Sequence, residues 1–450
     1  MPRSNFGDAL RKMSGAGSEE GAQAAPEEAP AQIPLHAYYA LALLCVINAL
    51  NFLDRSALAL VLPQLKRELQ LSDTVLGLIS GLPFAVCYAL CAIPAAWIAD
   101  NWSRRRLITL GLAFWSACTM ASAAVTSGVQ LAAARFLLGA GESTGLPASA
   151  SMIADLFTLR QRAIGFAALA ASPYLGVLVG FPMIGWVTDQ YGWRAAFVAA
   201  GAPGLVLALL FYLTVREPLR RTTRGASADA ASPPLRETFV YLMRTPSYPW
   251  VVIGGALSAA NFGSMFSWGP TYMTRVLDLG PQEIGHYFGA MRGLAGLAGA
   301  LVAGALVAML IKKHPLWQVW APMLMALILF PSDAVFLFST DPLVWQAALA
   351  FSAFLVAAIV ATGYLLYVNI APARMRATAT ALYLLVASLT GLTAGPLIVG
   401  VLNDLLVAQY GDAAIRYSML AASFSSVLYA LVLLLAARTW RRDMERALDR

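Results

Sequence analysis

The feature that most constrains this chain is one length, repeated. Apolar runs of about twenty residues, enough for a helix to cross a hydrocarbon core of about 30 Å, recur twelve times between residues 37 and 437. They fall near 37–62, 74–98, 106–127, 131–157, 163–188, 194–215, 248–273, 282–311, 317–339, 342–370, 377–403 and 415–437. Inside lipid no water pairs with exposed backbone groups, so each run must close its own hydrogen bonds as an α-helix. The fold class is therefore an all-α membrane protein of twelve spans. Charged residues make up only 12% of the 450, against about a quarter in soluble domains.

Loop chemistry sets the orientation. Arg104, Arg105 and Arg106 follow span 2, Arg160 and Arg162 follow span 4, Lys312 and Lys313 follow span 8, and Arg374 and Arg376 follow span 10. Arg438, Arg441 and Arg442 follow span 12, whereas the opposite loops hold only Lys66, Arg67, Arg194, Arg275 and Arg416. By the positive-inside rule both termini are cytoplasmic, and short loops with no outer glycosylation site point to a bacterial inner membrane. The division expected is a disordered tail over 1–35, a six-helix bundle over 36–215, a cytoplasmic linker over 216–247, a second bundle over 248–437 and a tail over 438–450.

Several classes are disfavoured. The formal charge of +7 comes from short loops without interleaved aromatics, so nucleic acid is not a partner. Cys45, Cys87, Cys91 and Cys118 lie within apolar runs at no ligand-like spacing, so neither a metal nor a cofactor is expected. His36, His286 and His314 sit near span ends and do not form a catalytic cluster, and no Walker-type phosphate loop occurs. The expectation is not an enzyme. A membrane sensor or scaffold would be expected to carry an added soluble domain, and none is evident.

The two halves look related. Ala96-Trp-Ile-Ala-Asp100-Asn-Trp-Ser-Arg104-Arg105 aligns without gaps on Gly304-Ala-Leu-Val-Ala308-Met-Leu-Ile-Lys312-Lys313, and Gly176, Gly180, Pro182 and Gly185 in span 5 have counterparts in Gly391, Gly395, Pro396 and Gly400 in span 11. Internally repeated membrane proteins place a ligand site between their halves at mid-membrane.

Charges inside spans locate that site. Asp54 and Arg55 interrupt span 1, at a cost of roughly 3 kcal/mol each on insertion scales, so such groups usually face a polar cavity. Asn48, Asn51 and Arg55 recur at helical spacing. Depth counting at about 1.5 Å per residue puts Asp54 level with Glu142 of span 4, with Arg135 two turns from Glu142 on the same face. Glu142 and Asp54 are the candidate proton carriers, and Arg55, Arg135 and Asn51 the groups that sense their charge or hold an anion. Arg292 of span 8 is a second-half guanidinium suited to a carboxylate or phosphate. Asn261 and Trp268 of span 7 and Tyr364 of span 10 are candidate lining residues. Asp100, Arg104, Arg105 and Asp155 are candidates for a cytoplasmic gate, Asp100 by capping a facing helix and the arginines by pairing with Asp155. Gly176, Gly180 and Gly185 permit close helix contact, and Pro182 bends span 5.

These motifs resemble the major facilitator superfamily. Asp100 through Arg106 is similar to its loop 2–3 motif, Arg135 with Gly139 to its span 4 motif, and the span 5 glycines to its antiporter-type motif, while Ala308 replaces the motif acid in the second half. Asn51-Phe-Leu-Asp54-Arg55, Leu71-Ser-Asp73 and the stretch from Gly141 through Glu142 and Pro147 to Ser149 resemble the Spinster-like branch. That likeness implies proton-coupled movement of lysophospholipids or sphingosine phosphates. The expected oligomeric state is a monomer. The span 1 and span 4 pieces also resemble the anion:cation symporter branch, which implies sugar acids or aromatic carboxylates. The span 4 sequence favours the first.

Overall fold

The computed structural model describes residues 35–158, 161–219 and 235–448. The expected tail up to residue 34, Arg160, and the part of the linker holding Arg220, Arg221, Arg224 and Gly225 to Pro234 lie outside the described residues. Nine helices among those described are long and apolar enough to cross a membrane. Two of these stretches turn back on themselves. Arg162–Thr214 bends at Gly192, whose φ of 81° suits a residue without a Cβ, and Thr378–Ala447 contains Gly411 at φ 55°. A further crossing is made of two helices, each too short to span alone, Gly128–Glu142 and Gly145–Leu156. The crossings number twelve.

Spans 1 to 3 are Leu35–Leu69, Asp73–Asn101 and Arg104–Ala121; span 4 is the broken pair; Arg162–Thr214 carries spans 5 and 6. Spans 7 to 10 are Ser247–Val276, Pro281–Lys313, Trp317–Phe338 and Pro342–Val368. Span 11 is Arg376–Leu389 and Gly395–Tyr410 joined through a π-helical turn, Thr390–Ala394, and span 12 is Ala414–Ser423 and Ser425–Leu448. Helix Leu235–Arg244 lies within the stretch read as linker, with Thr238 and Leu242 buried, and span 12 continues as helix through 438–448.

The break in span 4 has a local cause. The Ser143 and Thr144 hydroxyls bond back to the carbonyls of Ala140 and Gly141 at 2.7 and 2.8 Å, and Pro147 lacks the N–H that would continue the ladder. Glu142 therefore sits on the last residue of a helix in the middle of the molecule.

With an even number of crossings, both described chain ends lie on one face, here the terminal face; the other is the distal face. One hydrophobic cluster near the distal face joins both halves, from Leu53–Leu65 and Phe181 to Trp268, Phe288 and Met419. Toward the terminal face the core divides, with one cluster inside the first half and another inside the second.

Polar ties between the halves follow the same division. Arg275 of span 7 holds Asp73 of span 2 with two bonds of 2.6 and 2.8 Å, and Lys66 reaches the same carboxylate at 2.7 Å. Asp404, near the end of span 11, accepts from the Asp73 and Thr74 N–H groups at 3.1 and 2.8 Å and so caps span 2. The π-turn of span 11 is wedged between span 2 of the first half and span 7 of its own half, at a glycine on each. A Cβ on Gly81 would lie 1.3 Å from the Leu392 carbonyl oxygen, and one on Gly263 1.7 Å from that of Gly391. π-Turns of this kind often mark functional positions.

Candidate functional site

The charges of spans 1 and 4 meet. The Arg55 guanidinium donates to Glu142 Oε2 at 3.0 Å, with the Glu142 side chain fully buried and that of Arg55 20% exposed. Asn51 lies beside the same carboxylate. Asp54 and Arg135 are both buried. Two acids and two arginines thus share one region, yet only one ion pair is made among them. Asp54 Oδ1, Glu142 Oε1, Arg55 Nε and Arg135 Nε are buried without a hydrogen-bond partner among the described residues. A polar cluster kept only to fix helix packing would be satisfied, because each unmade bond costs about 1–3 kcal/mol. Phe84 of span 2 helps hold the cations, with Arg55 4.9 Å and Arg135 5.3 Å from its ring centre.

These guanidinium groups face a cavity between the halves. It measures about 50 Å³ and is lined by Phe52, Arg55, Ser80 and Arg135 from the first half, Phe262, Phe266 and Ser267 from the second, and Gly391 and Leu392 of the π-turn. Its walls are apolar except where the cations and two serines enter. Water occupies about 30 Å³ per molecule in the liquid, so the cavity in this conformation has room for one or two waters.

A second set of charges lies on the terminal face, within the first half. Arg104, 1% exposed, pairs with Asp155, with Glu217 at 2.9 Å, and with the Ser151 side chain. Burial alone would raise the Glu217 carboxyl, but Ser103, the Arg104 and Arg105 N–H groups and the Arg104 guanidinium together hold it below its ordinary value. Arg105 lies over the Tyr212 ring. Asp100 is exposed and has no hydrogen bond or ion pair among the described residues.

The sequence profile of the Major Facilitator Superfamily matches residues 44–396. The chain belongs to that superfamily. It is 29% identical over 414 residues to an MFS-type efflux pump of Mycolicibacterium smegmatis, covering 91% of this chain and 95% of that protein. It is 26% identical over 302 residues to the probable galactarate/D-glucarate transporter GarP of Escherichia coli K12, covering 61% and 68%. In structure it is similar to a bacterial homolog of the human lysosomal transporter Spinster, in an inward-facing and unoccupied conformation, with a TM-score of 0.81, 25% identity, and coverage of 91% of this chain and 98% of that one. The major facilitator architecture puts the Arg55–Glu142 pair and its cavity at the junction of the two six-helix halves.

Not all candidate residues reach the cavity. On span 7 the lining comes from Phe262, Gly263, Phe266 and Ser267, while Asn261, Ser264, Trp268 and Thr271 turn into the second bundle and are buried there. Trp268 donates its indole N–H to the Pro396 carbonyl at 2.9 Å. Polar residues at helical spacing fix a face, and that face can be satisfied by neighbouring helices as well as by a cavity. Tyr364 is half exposed, 5.4 Å from the Tyr367 ring and outside the cavity lining. Arg292 is 6% exposed and lies over the rings of Phe288 and of Phe262, which does line the cavity; it has no ion pair among the described residues. Gly176 and Gly185 meet backbone, since a Cβ would lie 2.2 Å from the Ala49 oxygen and 2.5 Å from the Pro281 oxygen, while Gly180 packs on Leu53 and Pro182 on Gly289.

Sequence reasoning passed over Phe84 and Asp333. Nothing about Phe84 distinguishes it from other span aromatics. Asp333 carried a signal of the kind that singled out Asp54, a charge within an apolar run, though without an adjacent arginine.

Proposed function

We propose that this chain is a proton-coupled secondary transporter working by alternating access, with an amphipathic anionic or zwitterionic lipid-like substrate. The carrying observation is that Arg55 lines the cavity and also holds Glu142. An anionic head group entering the cavity competes for that guanidinium. Glu142 would then be left as a bare carboxylate, fully buried and at a helix C-terminus, where negative charge is unfavourable; it takes up a proton instead. Substrate and proton therefore bind together and leave together. Asp54 is the second proton carrier, Arg135 the second anion contact, and Arg292 reaches the head group from the other half. The apolar walls from Phe52 and Phe262 to Leu392 accept the rest of the molecule.

The basic loops support a cytoplasmic terminal face, and the bacterial relative supports an inner membrane. The ties at the distal face and the separate cores at the terminal face then describe an inward-facing state, in keeping with the solved Spinster homolog. The bundles over 36–215 and 248–437 rock about the cavity, and the Arg104–Asp155–Glu217 cluster with Asp100 forms the cytoplasmic gate.

The test is proton movement in proteoliposomes, with lysophospholipids, sphingoid phosphates, sugar acids and aromatic carboxylates presented in turn. Proton uptake driven by lipids, and its loss in Glu142→Gln and Asp54→Asn, is the expected result. Gradient-driven, pH-dependent transport surviving in both variants would refute the assignment. A second reading, a symporter of small organic anions, is favoured by the small cavity, the buried guanidinium groups around it and the likeness to GarP; a response to sugar acids alone would select it.

A further inference from the structure

We propose that Asp333, Asn261, Ser352 and Ser423 form a binding site for one sodium ion inside the second six-helix half. The four side chains come from spans 9, 7, 10 and 12, and none is more than 2% exposed. Ser352 donates to Asp333 Oδ1, Ser423 donates to Asp333 Oδ2 at 2.5 Å, and Asn261 Nδ2 reaches that oxygen at 3.1 Å and Ser423 at 3.2 Å. Two carboxylate oxygens, two hydroxyls and one side-chain amide are thereby gathered from four helices. Oxygen donors of this kind suit hard cations, and a single carboxylate matches a monovalent ion better than calcium, whose sites draw on several.

Two observations favour a cation over a purely structural knot. The Asp333 carboxylate accepts three hydrogen bonds from neutral donors and has no ion pair among the described residues, so no cationic side chain occupies the position a bound cation would take. Asn261 Oδ1, in a side chain 1% exposed, has no hydrogen-bond partner among the described residues. Rotation of the amide brings that oxygen to the position of Nδ2, facing Asp333 and Ser423, while both hydroxyls turn their lone pairs inward.

The placement follows the internal repeat. In the first half, spans 1, 3 and 4 bring Asp54, Thr119 and Glu142 together; spans 7, 9 and 10, their counterparts, bring Asn261, Asp333 and Ser352. The charged neighbour of Asp333 is Arg292 of span 8, which itself faces Tyr174 of span 5. Arg292 opposes a cation at Asp333. Where an anionic substrate neutralises Arg292, a clause that rests on the function proposed above, sodium and substrate strengthen each other's binding.

The site is tested without substrate. Purified full-length protein is titrated with ²²Na⁺ at constant pH and ionic strength, and its thermal unfolding is compared in sodium, potassium and choline chloride. Saturable binding of one ion per chain and stabilisation by sodium alone are expected. Asp333→Asn abolishes both, and Ser352→Ala and Ser423→Ala, which keep the carboxylate, each weaken binding about tenfold. The site is overturned by a wild-type protein with no saturable binding, by unchanged affinity in all three variants, or by stability that follows pH and ignores sodium.

Discussion

Replacing Arg275 by glutamine is expected to loosen the distal seal. Arg275 grips Asp73 through both guanidinium nitrogens at 2.6 and 2.8 Å, with side chains 15% and 3% exposed. Hydrogen bonds to charged partners contribute about 1.5–3 kcal/mol net. Lys66 stays on Asp73 at 2.7 Å, so the substitution does not strand a buried carboxylate, and what is lost is the tie between halves. Since about 1.4 kcal/mol is tenfold in an equilibrium, the distal-closed state should lose roughly 10- to 150-fold in population relative to the open one. Gln70 and Asp278 are exposed turn residues, one in each half, close to this tie. Spin labels on cysteines at those positions, in an otherwise cysteine-free protein in nanodiscs, report the separation by double electron–electron resonance. A longer-distance population should appear in Arg275→Gln. An unchanged distance distribution would show that the pair does not hold the face shut.

Three further outcomes follow from local geometry. Gly263→Ala places a methyl 1.7 Å from the Gly391 oxygen; overpacking of this kind costs about 1–3 kcal/mol, and a lower midpoint of thermal unfolding in detergent checks it. Glu217 is held below its ordinary carboxyl value of 4.5 in the folded chain, so its contribution to stability is complete above that value and fades as pH falls through the lowered one. Glu217→Gln should therefore lower the unfolding midpoint at pH 7, with the difference from wild type shrinking below about pH 4. Phe84→Leu removes the ring shared by two guanidinium groups, each contact being worth about 0.5–2 kcal/mol; because Phe84 is buried in the first-half core, a raised KM for transport together with a lower unfolding midpoint is the expected signature.

The spans were legible because the bilayer dictates both their length and their hydrogen bonding, so composition alone reports them. The helix-breaking chemistry was less so. Ser143, Thr144 and Pro147 end a helix at Glu142, yet the apolar run over 131–157 reads as continuous. Depth along a helix was also legible, and it brought Asp54 level with Glu142, with Arg135 two turns away on the face of Glu142. Direction around the helix was not. The polar stripe of span 7 turns into the bundle because Asp333, Ser352 and Ser423 wait there, and those partners come from spans far away in sequence. The single Arg55–Glu142 bond, with buried polar atoms left over, depends on side-chain geometry that no spacing rule conveys.

Spans 2 and 11 carry the same device in opposite directions. Each carries an acid toward its end, Asp100 next to last in span 2 near the terminal face and Asp404 more than a turn before Tyr410 in span 11 near the distal face, and each begins close to where the other stops. An acid at its own helix C-terminus is disfavoured by the helix dipole, and one placed on a facing N-terminus is favoured, by about 0.3–1 kcal/mol in each case. In this conformation Asp404 has found its partner, the N–H groups of Asp73 and Thr74, whereas Asp100 stands exposed. Closing the terminal face would bring Asp100 to the start of span 11 at Arg376, while opening the distal face would strand Asp404. One cap is thus exchanged for the other, and the two states stay close in energy. Asp404→Asn should move the Gln70–Asp278 distance distribution toward the open form by about two- to fivefold, and Asp100→Asn should move it the other way by a similar factor. Shifts of the same sign would mean that the two acids do not trade places.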